Sequence, residues 1–327
     1  MLVTGPNGAG KTNLLEAVHL ATQGLSFRTR QDAQIVRHGA RESLARVTGR
    51  RDTVPVDAQV ELSVDAPKRI RLNGATLSSD ELRGRLHALV FTPDRLAVVK
   101  GGPAARRAYF DRSLARLLPA RAEIPTAYAA ALGQRNAALR RIAVGLSDAA
   151  ALEPWTESVA SLGAELVEAR RRLLGMLGPS FAARAAELGL PDASLGYAAE
   201  PPTRALLDER LPRDLDRGST GVGPHLDEIH VLAGERDLRA FGSQGEQRLA
   251  VLSLILAEAE LLLDQTGISP LLLLDDALSE LDAERRRILS ARLGIAGQTL
   301  VTATGAEALP LAPAQLLVVS PGEVRAA

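Results

Sequence analysis

Residues 5–12 read GPNGAGKT, and their types and spacing are suited to holding phosphate. Gly5, Gly10, Lys11 and Thr12 match the pattern G-x-x-x-x-G-K-[ST]. Glycines let backbone N–H groups curve around phosphate oxygens, a lysine reaches the β and γ phosphates, and a threonine hydroxyl ligates Mg²⁺. Lys11 is therefore also a candidate for catalysis. We expect ATP to be bound by Gly5, Pro6, Asn7, Gly8, Ala9, Gly10, Lys11 and Thr12.

A second candidate site follows the apolar segment LLLL at 271–274, which ends in Asp275 and Asp276. Four apolar residues predict a buried strand, and the end of that strand would place a carboxylate beside the phosphates. Asp275 would hold Mg²⁺ opposite Thr12, because this ion takes oxygen ligands. Asp276 would orient or deprotonate the attacking water, which makes it the candidate catalytic base. The alternative interpretation is a strand end capped by two polar residues.

A third candidate, FGSQGEQR at 241–248, precedes a long helical pattern. Ser243, Gln244 and Gly245 stand at the predicted helix start, where backbone N–H groups can bind an anion. The competing explanation is a capping box of Ser243 with Glu246, which needs no ligand. Along the chain, this segment is followed by LLLLDD and then by SELD. The same order is found in ABC-type ATPases, which this chain resembles, and in which a signature segment corresponding to 241–248 binds the γ phosphate on the partner subunit. The resemblance implies that Ser243, Gln244 and Gly245 contact ATP across a dimer interface.

The elements that must position these residues alternate between strand and helix near both ends of the chain. Apolar residues before Gly5 predict a short strand, and helical spacing at 13–23 predicts the helix after the loop. The pair Asn73-Gly74 predicts a hairpin turn. Further strand patterns lie at 56–64, 69–72, 86–92, 193–199, 226–232, 271–274 and 299–303, and further helical patterns at 245–263 and 283–293.

Residues 103–188 have a different composition, in which Ala, Leu, Arg and Glu dominate and β-branched residues are few. Pro119, Pro125, Pro154 and Pro179 separate segments of helical length. We therefore predict an α/β fold, an ABC/SMC-type P-loop ATPase head with an inserted, mainly helical lobe. The predicted boundaries are 1–102 for the first half of the ATPase domain, 103–190 for the lobe and 191–327 for the second half.

The composition excludes several classes of protein. With 46% hydrophobic and 24% charged residues in a chain of 327, the protein is globular rather than disordered. It has no cysteine, which excludes disulfides, cysteine-ligated metals and a thiol nucleophile. Because no apolar run approaches the roughly 20 residues of a membrane span and no signal peptide is recognisable, we expect a cytoplasmic protein with no membrane partner.

Net charge gives no argument for a nucleic-acid partner, because 39 Lys and Arg balance 39 Asp and Glu. Locally, the stretches 28–51 and 95–112 are basic and are candidates for contacts with DNA phosphates, the alternative being solvated surface. Aromatic residues make up only 3% of the chain, which favours contacts with the DNA backbone over base stacking. DNA binding would then be salt-sensitive and tolerant of sequence.

Taken together, these motifs resemble the RecF family of bacterial recombination mediators, which are relatives of SMC-type ATPase heads. The resemblance covers nearly the whole chain. Besides the three motifs above, it is carried by SFRTRQDA (26–33), FTPDRLAVVKGGPAARRAYFDR (91–112), GQRNAAL (133–139) and GPHLDEI (223–229). It implies an ATP-dependent homodimer with weak DNA-dependent ATPase activity. Such a dimer would bind gapped, junction or single-stranded DNA and act with RecR and RecO to load RecA.

Lesser candidates come with the same resemblance. Arg28 lies where SMC-like heads place an arginine near the nucleotide phosphates. Two alternative interpretations stay open, that Arg28 is solvated or that it contacts DNA. Segment 91–94 is either a loop that senses Mg²⁺ or a plain strand end. His225, with Asp227 and Glu228, is interpreted as part of a turn rather than a metal cluster, because the only second histidine or cysteine near ligand spacing is His230, which is expected on a strand.

The chain departs from the family pattern at three places. Met1 lies close to Gly5, whereas family chains begin further upstream, so either the start is misassigned or the sheet lacks strands. Leu226 stands where the family has arginine, and Gly305 where an aspartate is usual. Two other functions stay open: the ATPase subunit of an ABC transporter, and a degenerate clamp that binds DNA without hydrolysing ATP.

Overall fold

The computed structural model describes residues 1–51, 53–295 and 297–327. Their contacts divide them into two units, one combining Met1–Arg95 with Ala259–Ala327 and the other formed by Leu96–Glu258. The predicted lobe at 103–190 falls within the second unit, and its independence as a domain stays a prediction.

The elements alternate as the sequence predicts for an α/β protein. The strands are β1 (Leu2–Thr4), β2 (Glu42–Arg51), β3 (Val54–Ser63), β4 (Arg69–Leu72), β5 (Ala75–Thr76), β6 (Ala88–Phe91), β7 (Ala193–Gly196), β8 (His230–Ala233), β9 (Arg236–Asp237), β10 (Leu271–Leu274), β11 (Thr299–Ala303), β12 (Leu316–Ser320) and β13 (Glu323–Ala326). The helices are α1 (Lys11–Gln23), α2 (Ser79–Arg85), α3 (Ala97–Lys100), α4 (Pro103–Leu117), α5 (Ile124–Ala143), α6 (Glu153–Glu187), α7 (Arg204–Glu209), α8 (Leu211–Arg217), α9 (Leu238–Phe241), α10 (Gln244–Thr266) and α11 (Ala283–Ile295).

A mainly parallel sheet forms the centre of the first unit, with the strand order β13-β12-β1-β11-β10-β6. All neighbouring pairs from β12 to β6 are parallel, and β13 pairs antiparallel with β12 at one edge. The apolar strands β1 and β10 are almost completely buried, as expected where both faces of a sheet are covered. Because the strands share one direction, the loop after β1 and the residues after β10 lie at the same edge, where α/β sheets bind ligands.

A second, antiparallel sheet of the first unit has the order β2-β3-β4-β5. Alternate residues of β3, such as Val60 and Leu62, are buried in one cluster with Leu20 of α1. The turn predicted at Asn73-Gly74 is confirmed, because both residues have positive φ, 50° and 84°, and they join β4 to β5.

The second unit packs α4, α5 and α6 together with the small antiparallel sheet β7-β8-β9. Pro125 and Pro154 lie in the first turns of α5 and α6, where the missing N–H costs little. The prediction that Pro179 separates two helices is wrong, because it lies inside α6. An interior proline removes a helix hydrogen bond, and fully buried neighbours such as Leu177 and Phe181 hold the helix together by packing.

Two strand predictions also differ from the structure. The strand predicted at 226–232 begins only at His230, because side chains from other helices take the backbone oxygens before it. Arg170 Nη1 donates to the oxygen of Pro224 at 2.7 Å, and Arg107 Nη1 donates to that of Asp227 at 2.6 Å. Strand β2 was not predicted from the sequence, where its residues were noted only as part of the basic stretch 28–51; six of its ten positions are exposed, so it lacks a clear apolar pattern.

Candidate functional site

The loop at 5–12 connects β1 to α1, as predicted, and its geometry requires two of its glycines. Gly5 lies against β12, where a Cβ atom would stand 2.3 Å from the carbonyl oxygen of Val319. Gly10 is the N-cap of α1 and has a φ of 107°, in the left-handed region that favours glycine. The loop therefore ends at the N-terminus of a helix, where unpaired N–H groups and the helix dipole favour an anion.

Lys11 is held within this loop by the backbone of the loop itself. Its Nζ donates hydrogen bonds to the carbonyl oxygens of Gly5 at 2.7 Å and Pro6 at 3.0 Å. Pro6, Asn7 and Gly8 are exposed, so the loop faces solvent beside this positive charge. The arrangement is suited to receiving phosphate oxygens.

Thr12 lies beside Asp275, although the two residues are far apart in sequence. Thr12 Oγ1 donates to Asp275 Oδ2 at 2.9 Å and is 3.1 Å from Oδ1. A third residue completes the cluster, since Thr302 Oγ1 on β11 donates to Asp275 Oδ1 at 2.7 Å. Hydroxyl and carboxylate oxygens are the ligands that Mg²⁺ prefers, so this donor set fits a magnesium site completed by phosphate and water.

Asp276 follows Asp275 in a sharp turn. Its φ is 50°, in the left-handed region that is uncommon for residues other than glycine. Its backbone N–H donates to Thr302 Oγ1 at 2.9 Å, so one threonine hydroxyl fixes both aspartates. Asp275 is buried and Asp276 is partly exposed. The catalytic role expected of Asp276 stays a prediction.

The end of β6 lies next to the same cluster. The backbone N–H of Asp275 donates to the oxygen of Phe91 at 2.9 Å, which continues the pairing of β10 with β6. Phe91 and Thr92 are buried, and Asp94 is exposed in a short 3-10 turn over Pro93–Leu96. The strand-end interpretation describes this geometry, and sensing of Mg²⁺ by this segment stays a prediction.

Arg28 lies beside α1, one helical turn from the loop. Its Nη1 donates to Asn13 Oδ1 at 2.9 Å and to Glu16 Oε2 at 3.1 Å. The side chain is 51% exposed and lines a cleft of about 580 Å³ with Leu44 of β2. A contact between Arg28 and nucleotide phosphates stays a prediction.

The signature segment lies in the second unit and begins α10. The capping box predicted as the alternative explanation is present. Ser243 Oγ accepts from the Glu246 N–H at 3.2 Å, and Glu246 Oε2 accepts from the Ser243 N–H at 2.8 Å. Ser243 and Gln244 are exposed. Because Ser243 Oγ acts as an acceptor in the cap, its hydroxyl hydrogen can still be donated to a phosphate. The capping explanation and the phosphate explanation are therefore compatible.

The turn before Ser243 is tightly built. Gln247 Nε2 donates to the oxygen of Leu238 at 2.9 Å and to that of Gly242 at 3.3 Å. A Cβ atom on Gly242 would stand 2.5 Å from the oxygen of Leu238, so a larger residue would displace the turn. Gly245 follows in the first turn of α10.

The turn interpretation of GPHLDEI is confirmed, since the Leu226 N–H donates to the oxygen of Gly223 at 2.9 Å. His225 Nδ1 lies 2.8 Å from the Tyr128 hydroxyl, and its Nε2 lies 3.1 Å from the oxygen of Thr220. Burial lowers the pKa of His225 below its ordinary value. Across 1–51, 53–295 and 297–327, no group of His, Asp and Glu could hold a metal ion by protein ligands alone.

Comparison with known proteins identifies the family. A family model described as RecF/RecN/SMC N terminal domain matches residues 1–323. The DNA replication and repair protein RecF of Myxococcus xanthus (strain DK1622) is 37% identical over 322 residues, covering 93% of this chain and 84% of the relative. RecF of Acaryochloris marina (strain MBIC 11017) is 34% identical, covering 99% of this chain and 92% of the relative.

The chain belongs to the RecF family. Solved structures agree: the recombination mediator protein RecF-ATP in the RecFOR pathway is 30% identical with a TM-score of 0.88, covering 100% of this chain and 91% of that one. RecF-ATPrS is also 30% identical, with a TM-score of 0.87, covering 99% and 91%. A Pyrococcus furiosus Smc head domain shares the fold, at 16% identity and a TM-score of 0.56, covering 100% and 89%. The predicted ABC/SMC-type ATPase head is confirmed.

One candidate contact with DNA is wrong for this RecF-family chain. Arg106, in the basic stretch 95–112, is only 1% exposed and pairs with Glu228, so it cannot reach a DNA phosphate. Its guanidinium also donates to the oxygens of Val99 at 2.8 Å and Gly101 at 3.1 Å.

Among the described helices, none is long and apolar enough to cross a membrane.

Two residues have structural roles in this RecF-family chain that the sequence did not indicate. Thr302 binds both aspartates after β10, whereas the sequence predicted only that it lies on a strand. Glu228, which was named only as part of a turn, joins Arg106 to Arg239 just before the signature segment. Neither residue forms a spaced motif with its partners, because strands or helices separate them.

Proposed function

We propose that this RecF-family chain is an ATP-dependent DNA-binding clamp of recombinational repair and replication restart. It binds ATP with Mg²⁺ and hydrolyses it slowly. Membership of the RecF family favours this function over that of a transporter ATPase subunit. The relatives with solved structures are named as complexes with ATP or ATPrS within the RecFOR pathway, which supports ATP as the ligand.

The observation that carries the proposal is the contact between Thr12 and Asp275. It joins the end of the phosphate loop to the carboxylate after β10, at 2.9 Å, in the arrangement that a magnesium-bound triphosphate needs. Lys11 binds the β and γ phosphates, and the N-terminus of α1 adds backbone donors. Mg²⁺ held by Thr12 and Asp275 supplies positive charge to the phosphate oxygens. Asp276 orients the attacking water.

The clamp is a homodimer in which each copy supplies a different wall of the ATP site. Ser243, Gln244 and Gly245 of one copy contact the γ phosphate held by Lys11 of the other copy. Exposure of Ser243 and Gln244 and the unused hydroxyl hydrogen of Ser243 support this role. ATP thereby favours the closed dimer, since it binds that state better than the separate copies.

The DNA partner is gapped, junction or single-stranded DNA, held through its phosphates. The candidates are the exposed basic residues of both predicted stretches, including Arg30, Arg37 and Arg50 in 28–51, and Lys100 and Arg112 in 95–112. Binding is salt-sensitive, because it rests on charge neutralisation. The protein partners of the clamp are RecR and RecO, and together they help to load RecA in the cytoplasm.

A charge placed at Ser243 tests the sandwich, because aspartate is as good an N-cap as serine. Ser243→Asp keeps α10 capped but sets a carboxylate against the γ phosphate, so ATP-dependent dimerisation should be lost. Ser78→Asp is the matched control, since Ser78 forms the same capping box with Glu81 at the start of α2. Sedimentation velocity with and without ATP measures the outcome. Wild-type protein that binds ATP and stays monomeric would contradict the proposal.

Asp276→Asn separates the clamp that hydrolyses ATP from the degenerate clamp. The variant should bind ATP and remain a dimer, because only the orientation of water is lost. Its rate of phosphate release should fall well below that of the wild-type protein. Rates of both proteins at the level of ATP alone in buffer would favour a clamp that does not hydrolyse ATP, whereas equal rates above that level would show that Asp276 does not orient the water.

A further inference from the structure

The carboxylate of Glu228 connects two helices of the second unit, α4 and α9. Its Oε1 accepts a hydrogen bond from Arg106 Nη2 and another from Arg239 Nη1, the latter at 3.0 Å. Arg106 belongs to α4, and Arg239 belongs to α9, four residues before Ser243. One carboxylate thus links α4 to the short helix that leads into the signature segment.

Arg106 fixes one side of this link. Its side chain is 1% exposed, and Nη1 is bound by the oxygens of Val99 and Gly101 at the junction of α3 with α4. A buried guanidinium needs a negative partner, because an unpaired charge in the interior is costly. Glu228 is that partner, so its carboxylate is held in place by a group that cannot move into solvent.

The backbone around Glu228 is fixed as well. Arg170, 3% exposed, donates to the oxygen of Pro224 at 2.7 Å and makes a two-pronged contact with Asp111 at 2.9 Å. Arg107 donates to the backbone oxygen of Asp227 at 2.6 Å. The residues before Glu228 therefore form a rigid platform tied to α4 and α6.

Helix α9 needs such an external support. It has four residues, Leu238–Phe241, and an isolated helix of that length is unstable. It is capped by Asp237, whose Oδ1 accepts from the Arg239 N–H at 2.8 Å. It is also held by the bond from Gln247 to the oxygen of Leu238, by burial of Leu238 and by the contact of Arg239 with Glu228. Because Gly242 and Ser243 follow α9 directly, the orientation of α9 determines their positions.

We propose that Glu228 is a positioning residue for the signature segment: through Arg239 it fixes α9, and thereby Ser243, on a platform anchored by Arg106. The effect on ATP-driven dimerisation rests on the function proposed above, whereas the effect on α9 itself does not. Loss of either end of the Glu228–Arg239 contact should loosen the segment 238–245 without disturbing the phosphate loop.

Hydrogen–deuterium exchange of the nucleotide-free protein tests the positioning directly. In Glu228→Gln and Arg239→Gln, backbone amides of 238–245 should exchange about two- to fivefold faster than in the wild-type protein, because a partly exposed ion pair is lost. Arg204→Gln is the matched control, since Arg204 loses an exposed pair with Glu153 in the same unit and should leave 238–245 unchanged. Wild-type exchange rates in both variants would overturn the proposal.

Dimerisation with ATP gives the second measurement. The dimer dissociation constant at saturating ATP should rise about two- to fivefold in Arg239→Gln and at least as much in Glu228→Gln, which also removes the pair with Arg106. The double variant should be no worse than Glu228→Gln alone, because the Glu228–Arg239 contact is already lost in that variant. ATP binding by the separate copies should not change. A double variant with fully additive losses would contradict the shared contact.

Two outcomes keep the inference separate from the proposed function. If wild-type protein fails to dimerise with ATP, the proposed function fails, and exchange at 238–245 still decides the role of Glu228. Should Glu228→Gln fail to fold, Arg239→Gln decides alone, because Arg239 is 41% exposed and its loss leaves the Arg106 pair in place.

Discussion

The phosphate loop and the signature segment are held in different ways. The loop at 5–12 is shaped by its own backbone: Gly10 turns the chain into α1, and Lys11 bonds to the oxygens of Gly5 and Pro6. The signature segment is held by local bonds, which are its capping box and the bonds from Gln247, and also by the contact of Arg239 with Glu228. The loop at 5–12 is therefore shaped mainly by its own backbone, whereas the signature segment depends in addition on ion pairs between side chains.

This difference suggests how the two sites respond to substitution. A locally built site should lose function without losing the fold, because its contacts lie within a few residues. A segment held by partly or fully buried ion pairs should lose order or stability when one partner is removed, since the remaining charge is left without compensation. Substitutions in each region can test whether the contrast holds.

The largest effect is expected for Lys11→Ala. Loss of the ammonium should weaken ATP binding roughly a hundredfold and abolish ATP-dependent dimerisation, because charge-assisted bonds to phosphate disappear. Isothermal titration with ATP and sedimentation measure the two effects. Lys100→Ala, at the exposed end of α3, is the control and should bind ATP normally. If Lys11→Ala also lowers the urea midpoint of unfolding substantially, then Lys11 contributes to the stability of the fold as well as to ATP binding.

Asp111→Asn should have the next largest effect, on stability. It leaves the nearly buried Arg170 without its two-pronged partner, which should reduce the free energy of unfolding by about 2 kcal/mol. Glu153→Gln removes an exposed pair with Arg204 and should leave the urea midpoint unchanged. Equal midpoints for the two variants would remove the distinction between the buried and exposed ion pairs of the second unit.

Thr302→Val tests how local the phosphate site really is. Valine removes the donor to Asp275 and the acceptor for the Asp276 N–H, so the free energy of unfolding should fall by about 1 to 2 kcal/mol. Thr302→Ser keeps the hydroxyl and should restore most of the loss. If urea unfolding shows no difference between valine and serine, the hydroxyl does not organise the aspartates.

The sequence predicted the locally built features well. The phosphate loop, LLLL and the Asn73-Gly74 turn each depend on neighbours along the chain, and the structure has the expected strand, helix or turn at each. Local pattern failed where distant side chains intervene. Residues 226–229 have strand-like spacing, yet the Leu226 N–H is bonded within a turn and Arg107 of α4 takes the backbone oxygen of Asp227.

For the candidate site, residue types could be predicted but their partners could not. Thr12 and Asp275 were expected to lie near one another, because both were predicted to hold the same Mg²⁺, and they are in contact. Thr302 was missed, since nothing in the sequence specifies which side chain of β11 reaches two aspartates. Arg106 was misjudged because a charge run indicates solvent exposure, whereas Glu228 allows this arginine to be buried.

The smallest effect concerns the pH dependence of the same long-range network. Burial lowers the pKa of His225 in the folded protein, so the unfolded chain binds a proton more readily. The resulting stability is present above the ordinary histidine pKa of about 6.5 and is lost as the pH falls from there through the lowered value.

Unfolding free energies at pH 7.5 and 5.5 should therefore differ less in His225→Asn than in the wild-type protein. Comparing the difference between two pH values cancels the fixed cost of losing the contacts with Tyr128 and Thr220. His38→Asn, at an exposed position, should keep the wild-type dependence. A pH dependence that is unchanged in His225→Asn would show that the turn at 223–229 tolerates a charged imidazole, and that burial of His225 does not contribute to the pH dependence of stability.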